Sequence, residues 1–499
     1  MATEMMLEKE LHRYFGFSSF RKGQREAISS ILDGRHTLAM LPTGTGKSIC
    51  YQLPGYLLEG TVLIVSPLLS LMQDQVEQMK MNGEKRVVAL NSFLSFEEKR
   101  WAFDSLQSFK FIFISPEMLN TASVLNMIKK LRIAIFVVDE AHCISQWGYD
   151  FRPDYLRLGE TRKQLGSPLT LALTATATPE TVNDIISRLE VESCEQVISS
   201  VDRPNISLTV EKHSGYQAKA SRLQELVQLF SGPGIIYFSS KKMAEQAALS
   251  LKEKCSKKVM AYHGGMDQES RILIQQQFVN GQIDIVCATS AFGMGINKSD
   301  IRFVVHFHMP LQLESYLQEI GRAGRDGKAS AAVLLWAPGD EQLPLQLAEA
   351  ELPSEHQVDY VFSLLKTQGL GASELSENEK EFRLPAGLTD IQWRVLTELS
   401  DRLRDEGADN LPGRINEFLR RRVLIKNGQI AEVGRWIHSK SCRREKIAEY
   451  FQEGKKPENL SCCDICGLDL EKYFGQAEES SGLARAGWKE LLAGMLINK

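Results

Sequence analysis

The sequence has no apolar run approaching the roughly 20 residues that a membrane-spanning helix needs. It also has no excess of positive charge, because 63 Asp and Glu outnumber 59 Lys and Arg and leave a net charge of −4. A histone-like polycation is therefore excluded, and any contact with nucleic acid must come from local basic patches. The amino terminus, MATEMMLEKELHRYF, lacks the pattern of a signal peptide. We expect a protein of a reducing, intracellular compartment without membrane contact.

Cysteine is scarce, with nine in 499 residues. Five stand singly, mostly inside apolar segments, which is typical of buried free thiols; they are Cys50, Cys143, Cys194, Cys255 and Cys287. The other four cluster near the carboxyl terminus, at Cys442, Cys462, Cys463 and Cys466. In a reducing compartment such a cluster indicates a bound metal rather than disulfides.

Strand-like and helix-like segments alternate along most of a chain that is too long for one ordinary domain. The short apolar runs read as buried parallel strands at 61–67, 111–116, 133–140, 169–178, 234–240, 259–265, 284–290 and 301–307. Helical spacing between them predicts an α/β protein with two tandem parallel-sheet domains. We place these domains at 1–205 and 206–345, followed by a mostly helical region at 346–470 and a tail at 471–499.

The segment MLPTGTGKS, residues 40–48, has the composition of a phosphate-binding loop. Its glycines permit a tight turn whose backbone N–H groups face phosphate oxygens, its lysine reaches the outer phosphates, and its serine holds Mg²⁺. The predicted nucleotide contacts are Thr43, Gly44, Thr45, Gly46, Lys47 and Ser48. The strict pattern has glycine where this chain has Leu41, so a glycine-rich turn with an incidental lysine is the alternative.

Asp139 and Glu140 end the apolar run IAIFVV. A carboxylate that leaves a buried strand beside a phosphate loop can bind the Mg²⁺ that bridges the outer phosphates, which makes Asp139 a candidate metal ligand. The adjoining Glu140 can orient and deprotonate the attacking water. An isolated pair of acids at a strand end would instead be a solvated surface feature.

Asp139 to His142 spell a DEAH box, and the longer stretch DEAHCISQWGYDFRPDY resembles the RecQ family of superfamily-2 DNA helicases. Further segments that resemble the family are FGFSSFRKGQREAI (15–28), VSPLLSLMQDQV (65–76), LTATAT (173–178), DRPN (202–205), YHGGM (262–266), ATSAFGMGINKSDIRFVVHF (288–307) and SYLQEIGRAGRDG (315–327). The resemblance covers residues 5–345 and resumes at 442–466. It implies two RecA-like domains, ATP and Mg²⁺ as cofactors, and 3′-to-5′ unwinding of DNA in repair, recombination or replication-fork processing.

The same resemblance implies contacts beyond the phosphate loop. Gln24 would read the adenine edge, with Phe17 and Arg21 contacting the base or ribose. Thr174 and Thr176, in LTATAT, would relay the state of the nucleotide between the two domains.

Three residues of the second domain would face the ATP according to the resemblance: Gln318, Arg322 and Arg325, with Arg325 as the arginine finger. An arginine supplied across a cleft stabilises the transferring phosphoryl group and makes hydrolysis depend on domain closure. Without its context, GRAGRDG would be read as a surface helix whose arginines pair with Glu319 and Asp326.

The DEAH box continues directly into an aromatic stretch that contains Gln146, Trp147, Tyr149, Phe151 and Arg152. Glycine and proline in this stretch argue against a regular strand, so we predict a loop beside the ATP site. Aromatic rings there can stack on DNA bases, and arginine can add a phosphate or cation–π contact. This loop would couple DNA occupancy to hydrolysis, as the resemblance also implies. Packing of one ring in the core, Phe151 above all, is the alternative.

The cysteine cluster resembles the zinc module that follows the motor in this family. Cys463 and Cys466 form a C-x-x-C pair, and Cys442 opens a helix as the family pattern expects. Cys462 is directly adjacent to Cys463, where a spacer would be expected. It is therefore the least secure of the four zinc ligands, and His438 is the alternative ligand.

The segment 413–446 is rich in positive charge, with three acids, Glu417, Glu432 and Glu445. Its ten basic residues are Arg414, Arg420, Arg421, Arg422, Lys426, Arg435, Lys440, Arg443, Arg444 and Lys446. We predict a face that tracks DNA phosphates, with a merely solvated helix face as the alternative.

The pair Asn427-Gly428 suggests a hairpin and, with it, a winged-helix-like insertion over about 385–435. Family members commonly carry a winged-helix domain after the zinc module. Too few residues follow Cys466 for it, so we expect it to be absent from its usual place.

We therefore predict an ATP-dependent DNA helicase. The alternatives are a nucleic-acid-stimulated ATPase or RNA remodeller without processive unwinding, and a catalytically silent scaffold. Expected partners are single-stranded DNA, forked or tailed duplexes, and single-strand-binding or repair proteins. We expect a monomer in the cytoplasm, at the nucleoid in a bacterium, or in the nucleus in a eukaryote.

Overall fold

The protein forms two parallel sheets in a computed structural model that describes residues 2–67, 69–91, 94–145, 153–293, 296, 298–375, 378–405, 407–454 and 462–475. The strands of the first sheet are β1 (His36–Met40), β2 (Thr61–Val65), β3 (Val87–Leu90), β4 (Phe111–Ile114), β5 (Ile133–Val138), β6 (Thr170–Thr174) and β7 (Cys194–Ile198). Those of the second are β8 (Ile206–Lys212), β9 (Gly234–Tyr237), β10 (Val259–Tyr262), β11 (Ile285–Ala288), β12 (Phe303–His306) and β13 (Ser330–Trp336).

The first sheet has the order β3-β4-β2-β5-β6-β1-β7, and all its pairings are parallel. Its central strands are apolar almost throughout because helices cover both faces. β5 and β1 lie on either side of β6, so the loops that follow these three strands emerge at one edge. The phosphate loop, the acidic pair and the LTATAT segment are thereby brought together.

The second sheet has the order β10-β11-β9-β12-β13-β8, again with every pairing parallel. We call each sheet with its covering helices a lobe: the first lobe precedes residue 199 and the second lobe spans 206–336. The segments after β11 and β12 leave the second sheet toward the first lobe, and they carry Gly293, Ile296 and Gln318 to the space between the lobes.

Nineteen α-helices occur in the described residues. Those of the lobes are α1 (Ala2–Phe15), α2 (Gln24–Leu32), α3 (Ile49–Leu57), α4 (Leu69–Met81), α5 (Phe96–Asp104), α6 (Pro116–Leu119), α7 (Ala122–Ile128), α8 (Leu158–Gln164), α9 (Pro179–Leu189), α10 (Tyr216–Leu229), α11 (Lys241–Lys254), α12 (Gln268–Val279) and α13 (Leu313–Ile320). The carboxyl-terminal helices are α14 (Gln342–Ala350), α15 (Glu355–Gln368), α16 (Glu379–Arg383), α17 (Asp390–Asp405), α18 (Leu411–His438) and α19 (Arg443–Tyr450).

The predicted fold class is confirmed: two parallel-sheet domains precede a helical region. Each of the eight predicted apolar runs contains a strand. The sequence reading missed β1, β3, β7, β8 and β13. Of these, β7 is an edge strand with mostly exposed residues, so its sequence CEQVI carries little apolar signal. The exact domain limits stay predictions.

The predicted hairpin at Asn427-Gly428 is wrong, because α18 runs through both residues without a break. No strand occurs among the described residues of 385–435, so the winged-helix-like insertion is wrong as well. The helix is favoured by apolar residues at helical spacing along its buried side: Ile415, Leu419, Ile430, Val433 and Ile437. Burial of this stripe outweighs the turn preference of Asn-Gly.

The basic segment 413–446 is largely neutralised by acids, several of them from outside it. Seven of its ten basic side chains form ion pairs: Arg414 with Glu417, Arg420 with Glu355, Lys426 with Glu351, Arg435 with Glu432, Arg443 with Asp464, Arg444 with Asp202 and Lys446 with Glu449. The surplus of charge along the sequence is therefore not a surplus on the surface, which favours the alternative of a paired, solvated face. None of the described helices has the length and apolar character to cross a membrane.

Candidate functional site

A cleft of about 430 Å³ lies between the two lobes. The first lobe lines it with Phe17, Arg21, Gln24, the loop Thr43–Ser48, Asp139 and Glu140 among others. The second lobe contributes Gly293, Ile296, Ser299, Gln318, Arg322 and Arg325. Four of the lining side chains are cationic and two are carboxylates, which makes the cleft a receptor for a polyanion. The structure thus brings together all the predicted nucleotide and catalytic residues.

The phosphate loop connects the end of β1 to the start of α3. Gly44 and Gly46 have φ of +85° and +77°, a conformation that L side chains rarely adopt. A Cβ at Gly44 would come within 2.8 Å of Cγ of Arg325, and one at Gly46 within 3.2 Å of Nε2 of Gln24. Glycine is therefore favoured at both positions by the backbone, and at Gly44 also by the approach of the second lobe.

Gln24 stands at the start of α2 and is 2% exposed. Its Nε2 donates to the carbonyls of Thr45 at 2.7 Å and Gly46 at 3.0 Å, and its Oε1 accepts from the backbone of Arg21. Arg21 in turn donates to the carbonyl of Gly44. The amide of Gln24 is thus bound to the phosphate loop in this structure, and its contact with adenine stays a prediction. Phe17 is half exposed at the rim of the cleft.

Asp139 and Glu140 follow β5 and both line the cleft. The backbone of Asp139 donates to the carbonyl of Val65 at 2.9 Å, which extends the β2–β5 pairing by one bond. Burial raises the pKa of Asp139 to about 7; the charge of Glu140 adds to this effect, and that of Lys47 opposes it. A partly buried carboxylate whose pKa is raised in this way is stabilised in its charged form by a bound cation.

His142 connects the acidic pair to the LTATAT segment. Its Nδ1 lies 3.4 Å from Oε2 of Glu140 and 3.0 Å from Oγ1 of Thr174. Thr174 in turn donates to the carbonyl of Thr176 at 3.2 Å. The sequence reading gave His142 no role of its own, although its place in the DEAH box was a signal.

Arg322 is buried and Arg325 is partly buried in the second-lobe side of the cleft. Arg322 donates to the carbonyl of Gly293 and Arg325 to that of Ile296, whereas the Nε of each has no hydrogen-bond partner among the described residues. Burial, together with the charges of Arg322 and Arg203, lowers the pKa of Arg325 to about 9. Arginines clustered in this way favour an anion between them.

The four clustered cysteines come together although 20 residues separate Cys442 from Cys462. Their sulfurs lie within 4.8 Å of one another, with Cys442 3.4 Å from Cys462 and Cys463 3.6 Å from Cys466. Tetrahedral zinc with bonds of about 2.3 Å to sulfur sets its ligands about 3.8 Å apart. The donor set and its spacing therefore fit zinc. His438 lies elsewhere, with its ring against Trp336.

The predicted DNA loop cannot be compared in the same way. Gln146, Trp147, Tyr149, Phe151 and Arg152 lie outside the described residues.

Comparison with known proteins decides the family. The profile of DEAD/DEAH box helicases matches residues 21–185, and that of the helicase conserved C-terminal domain matches residues 218–327. The probable ATP-dependent DNA helicase RecS of Bacillus subtilis is 44% identical over 97% of this chain and 97% of its own length. The chain belongs to the RecQ family of ATP-dependent DNA helicases.

Other relatives are longer than this RecQ-family chain. The RecQ helicase of Pasteurella multocida is 41% identical over 75% of this chain, which covers 58% of that relative. The structure of Mycobacterium smegmatis helicase Lhr, bound to ssDNA and AMP-PNP, superposes with a TM-score of 0.55 over 68% of this chain and 50% of Lhr, at 20% identity. At that identity the likeness concerns the fold alone.

Proposed function

We propose that the protein uses ATP hydrolysis in the interlobe cleft to move along DNA from 3′ to 5′ and to unwind duplexes during repair, recombination or fork processing. One observation carries this proposal. The phosphate loop and two carboxylates line one wall of the cleft, and two arginines whose Nε atoms have no hydrogen-bond partner among the described residues line the other. Neither lobe has a complete set for phosphoryl transfer, so hydrolysis requires both.

The first lobe binds and activates the reactants. Lys47 contacts the outer phosphates of ATP, and Ser48 and Asp139 hold the magnesium site. Magnesium, once bound, neutralises charge on the phosphate oxygens. Glu140 orients the attacking water and accepts its proton, and His142 keeps Glu140 in position through their 3.4 Å contact.

The second lobe completes the site when the cleft closes. Arg325 contacts the transferring phosphoryl group as the arginine finger, with Arg322 and Gln318 beside it. Such a finger contributes about 10³–10⁵ in rate in other NTPases. Because the finger and the phosphate loop belong to different lobes, each hydrolysis cycle opens and closes the cleft.

DNA is sensed next to the acidic pair in this proposal. The chain segment 146–152 follows the turn that contains His142, and its aromatic rings stack on bases of the tracking strand. Thr174 transmits the state of the nucleotide through its contact with His142. Both lobes of one chain suffice for this cycle, so we propose a monomer that acts on DNA in the cytoplasm and meets single-strand-binding or repair proteins there.

The cysteine cluster holds one structural zinc. Metal analysis of the purified protein should find about one zinc per chain, and Cys463→Ser should lose it together with several kilocalories per mole of stability. Cys255→Ser, at a thiol remote from the cluster, serves as the control. If removal of the metal from the wild-type protein left its melting temperature unchanged, the zinc assignment would be refuted.

A strand-displacement assay tests the function as a whole. The protein should separate 3′-tailed and forked DNA duplexes with ATP, but not 5′-tailed ones. Lys47→Ala should lower ATP turnover by at least about 10² while the fold is retained. Unwinding of RNA duplexes alone would favour an RNA remodeller, and DNA-stimulated hydrolysis without strand separation would indicate an ATPase that does not unwind.

A further inference from the structure

The segment DRPN, residues 202–205, connects the two lobes and has no part in the cycle described above. We propose that Arg203 is a positioning residue that holds the phosphate loop and the finger turn, defined as Gly321–Arg325, at the separation that hydrolysis needs. This inference rests on the proposed function, because it concerns how the two walls of that ATP site are joined.

The guanidinium of Arg203 donates four hydrogen bonds, all to backbone carbonyls. Nη1 donates to Thr43 at 3.0 Å and to Gly321 at 2.9 Å. Nη2 donates to Ala323 at 3.1 Å and to Gly324 at 2.8 Å. One acceptor belongs to the phosphate loop and three belong to the finger turn, so a single planar group ties the two together.

The finger turn fits closely against the phosphate loop at this point. A Cβ at Gly321 would lie 3.3 Å from Cβ of Thr43, and one at Gly44 would lie 2.8 Å from Cγ of Arg325. Asn205 of the same segment donates to the carbonyl of Gly324 at 2.8 Å. The DRPN segment therefore fixes the position of Arg325 relative to the phosphate loop.

Arginine is suited to this task and lysine is not. The guanidinium is a rigid fork with donors in fixed directions, whereas an ammonium is a compact charge that cannot span four separated carbonyls. Because every acceptor is backbone, side-chain changes in the loop or the turn leave the acceptors in place. The connection between the phosphate loop and the finger turn thus depends on the side chain of Arg203 itself.

The backbone of this segment is held from the opposite side by α19. Nη1 of Arg444 donates to the carbonyl of Arg203 at 3.1 Å and Nη2 to that of Ile206 at 2.6 Å, while the guanidinium pairs with Asp202. Nε of Arg444 lies 3.4 Å from Sγ of Cys462. Through Arg444, the cysteine cluster therefore contacts the segment that carries Arg203. Arg203 in turn contacts both walls of the ATP site.

The charge of Arg203 also bears on closure. It adds to those of Arg21, Arg322 and Arg325, and its own pKa is lowered by burial and by the charge of Arg21. Bringing these cations together is unfavourable until phosphates lie between them. Phosphates bound in the cleft therefore favour the close approach of the finger turn to the phosphate loop.

Kinetics with saturating single-stranded DNA test the proposal. Arg203→Lys should lower kcat for ATP at least about tenfold while KM and the affinity for a fluorescent ATP analogue change less than about threefold. Arg222→Lys is the control, since Arg222 also donates several hydrogen bonds, here to Glu211 and Glu225, but lies away from the cleft. A kcat for Arg203→Lys equal to that of the control would overturn the proposal.

A double variant separates positioning from a merely structural role. If Arg203 acts through the finger, Arg203→Lys combined with Arg325→Ala should hydrolyse ATP no more slowly than Arg325→Ala alone. If the rate losses of the two single variants multiply in the double variant, the proposal that Arg203 acts through Arg325 is wrong. Should Arg203→Lys fold poorly, as judged by thermal melting, Arg444→Lys takes its place. If kcat of Arg444→Lys falls while KM is unchanged, α19 positions Arg203 as proposed. If kcat, affinity and melting temperature fall together, that role of α19 is contradicted.

The Lys47→Ala variant distinguishes the two proposals. Normal hydrolysis in Lys47→Ala would refute the ATP site itself. If Lys47→Ala loses hydrolysis while Arg203→Lys is unaffected, only the positioning role of Arg203 is refuted.

Discussion

Two consecutive carboxylates line one cleft because the backbone turns between them. Successive side chains of a strand face opposite sides of the sheet, so Asp139 and Glu140 would diverge if β5 simply continued. Glu140 instead has φ of 47° and ψ of 50°, a left-handed conformation that is uncommon for a residue other than glycine. It is also 7% exposed and in contact with His142. Conformations of this kind concentrate at sites of function.

Replacement of Glu140 by Gln should separate binding from chemistry. The amide keeps the size of the side chain but cannot accept the proton of the attacking water, so kcat should fall by about 10²–10⁴ while ATP still binds. Phosphate release and the affinity for a fluorescent analogue measure the two effects. Glu192→Gln, an exposed acid of the first lobe, is the control. A rate within threefold of wild type would remove Glu140 from the proton transfer.

At the scale of elements, the helical region contacts the first lobe at the short helix that follows the predicted DNA loop in the sequence. α17 packs against the short helix Pro153–Arg157, where the side chains of Glu398 and Asp154 share a hydrogen bond. Arg394 lies 3.8 Å from Glu398, and the charge of Glu117 raises the pKa of Asp154. Two carboxyl groups so close together cannot both ionise without cost. The contact is therefore strongest when one of them keeps a proton.

This contact predicts a pH-dependent stability. Burial and the negative charge of Asp154 raise the pKa of Glu398 to about 8, above the value of about 4.3 in unfolded chains. The folded state then binds the extra proton between these values, so this group lowers stability progressively as pH rises from about 4 to about 8. Between pH 5 and pH 9, the free energy of unfolding of Glu398→Gln should rise by about 1–3 kcal/mol relative to that of wild type.

Urea unfolding at both pH values measures this difference. The exposed Glu349→Gln, on α14, should show no such trend. An equal stability change for Glu398→Gln at pH 5 and pH 9 would contradict the shared proton.

At the scale of the whole molecule, three parts meet at the ATP cleft. Each lobe brings half of the candidate catalytic residues, and the DRPN segment joins them while resting on α19. In the proposed cycle, closure moves the two lobes about this segment and converts a local chemical step into movement along DNA. The helical region contacts the short helix Pro153–Arg157, which follows the predicted DNA loop in the sequence.

Trp147→Ala tests whether DNA occupancy reaches the ATP site. Loss of a ring that stacks on a base should lower stimulation of hydrolysis by single-stranded DNA about tenfold while basal hydrolysis stays near wild type, because stacking contributes about 1–3 kcal/mol per base. Trp101→Ala, at an exposed tryptophan of α5, is the control. An unchanged ratio of stimulated to basal rate would reject the coupling role of the loop.

Several features of this protein were determined by the sequence alone. The apolar runs of the central strands predicted two parallel sheets, since residues buried on both faces leave a strong local pattern. The glycines and lysine of residues 44–47 and the acidic pair predicted a phosphate site, because the chemistry restricts which residues can occupy adjacent positions. Ordered motifs spread over most of the chain identified the family.

Only the tertiary structure decided the rest. It carried α18 through Asn427-Gly428, neutralised most of the basic segment, and brought Arg203 to acceptors that lie 118 to 160 residues away along the chain. Each of these outcomes depends on a partner distant in sequence. Local composition cannot specify such a partner, because its position follows from the packing of two sheets and not from the neighbours of the residue concerned.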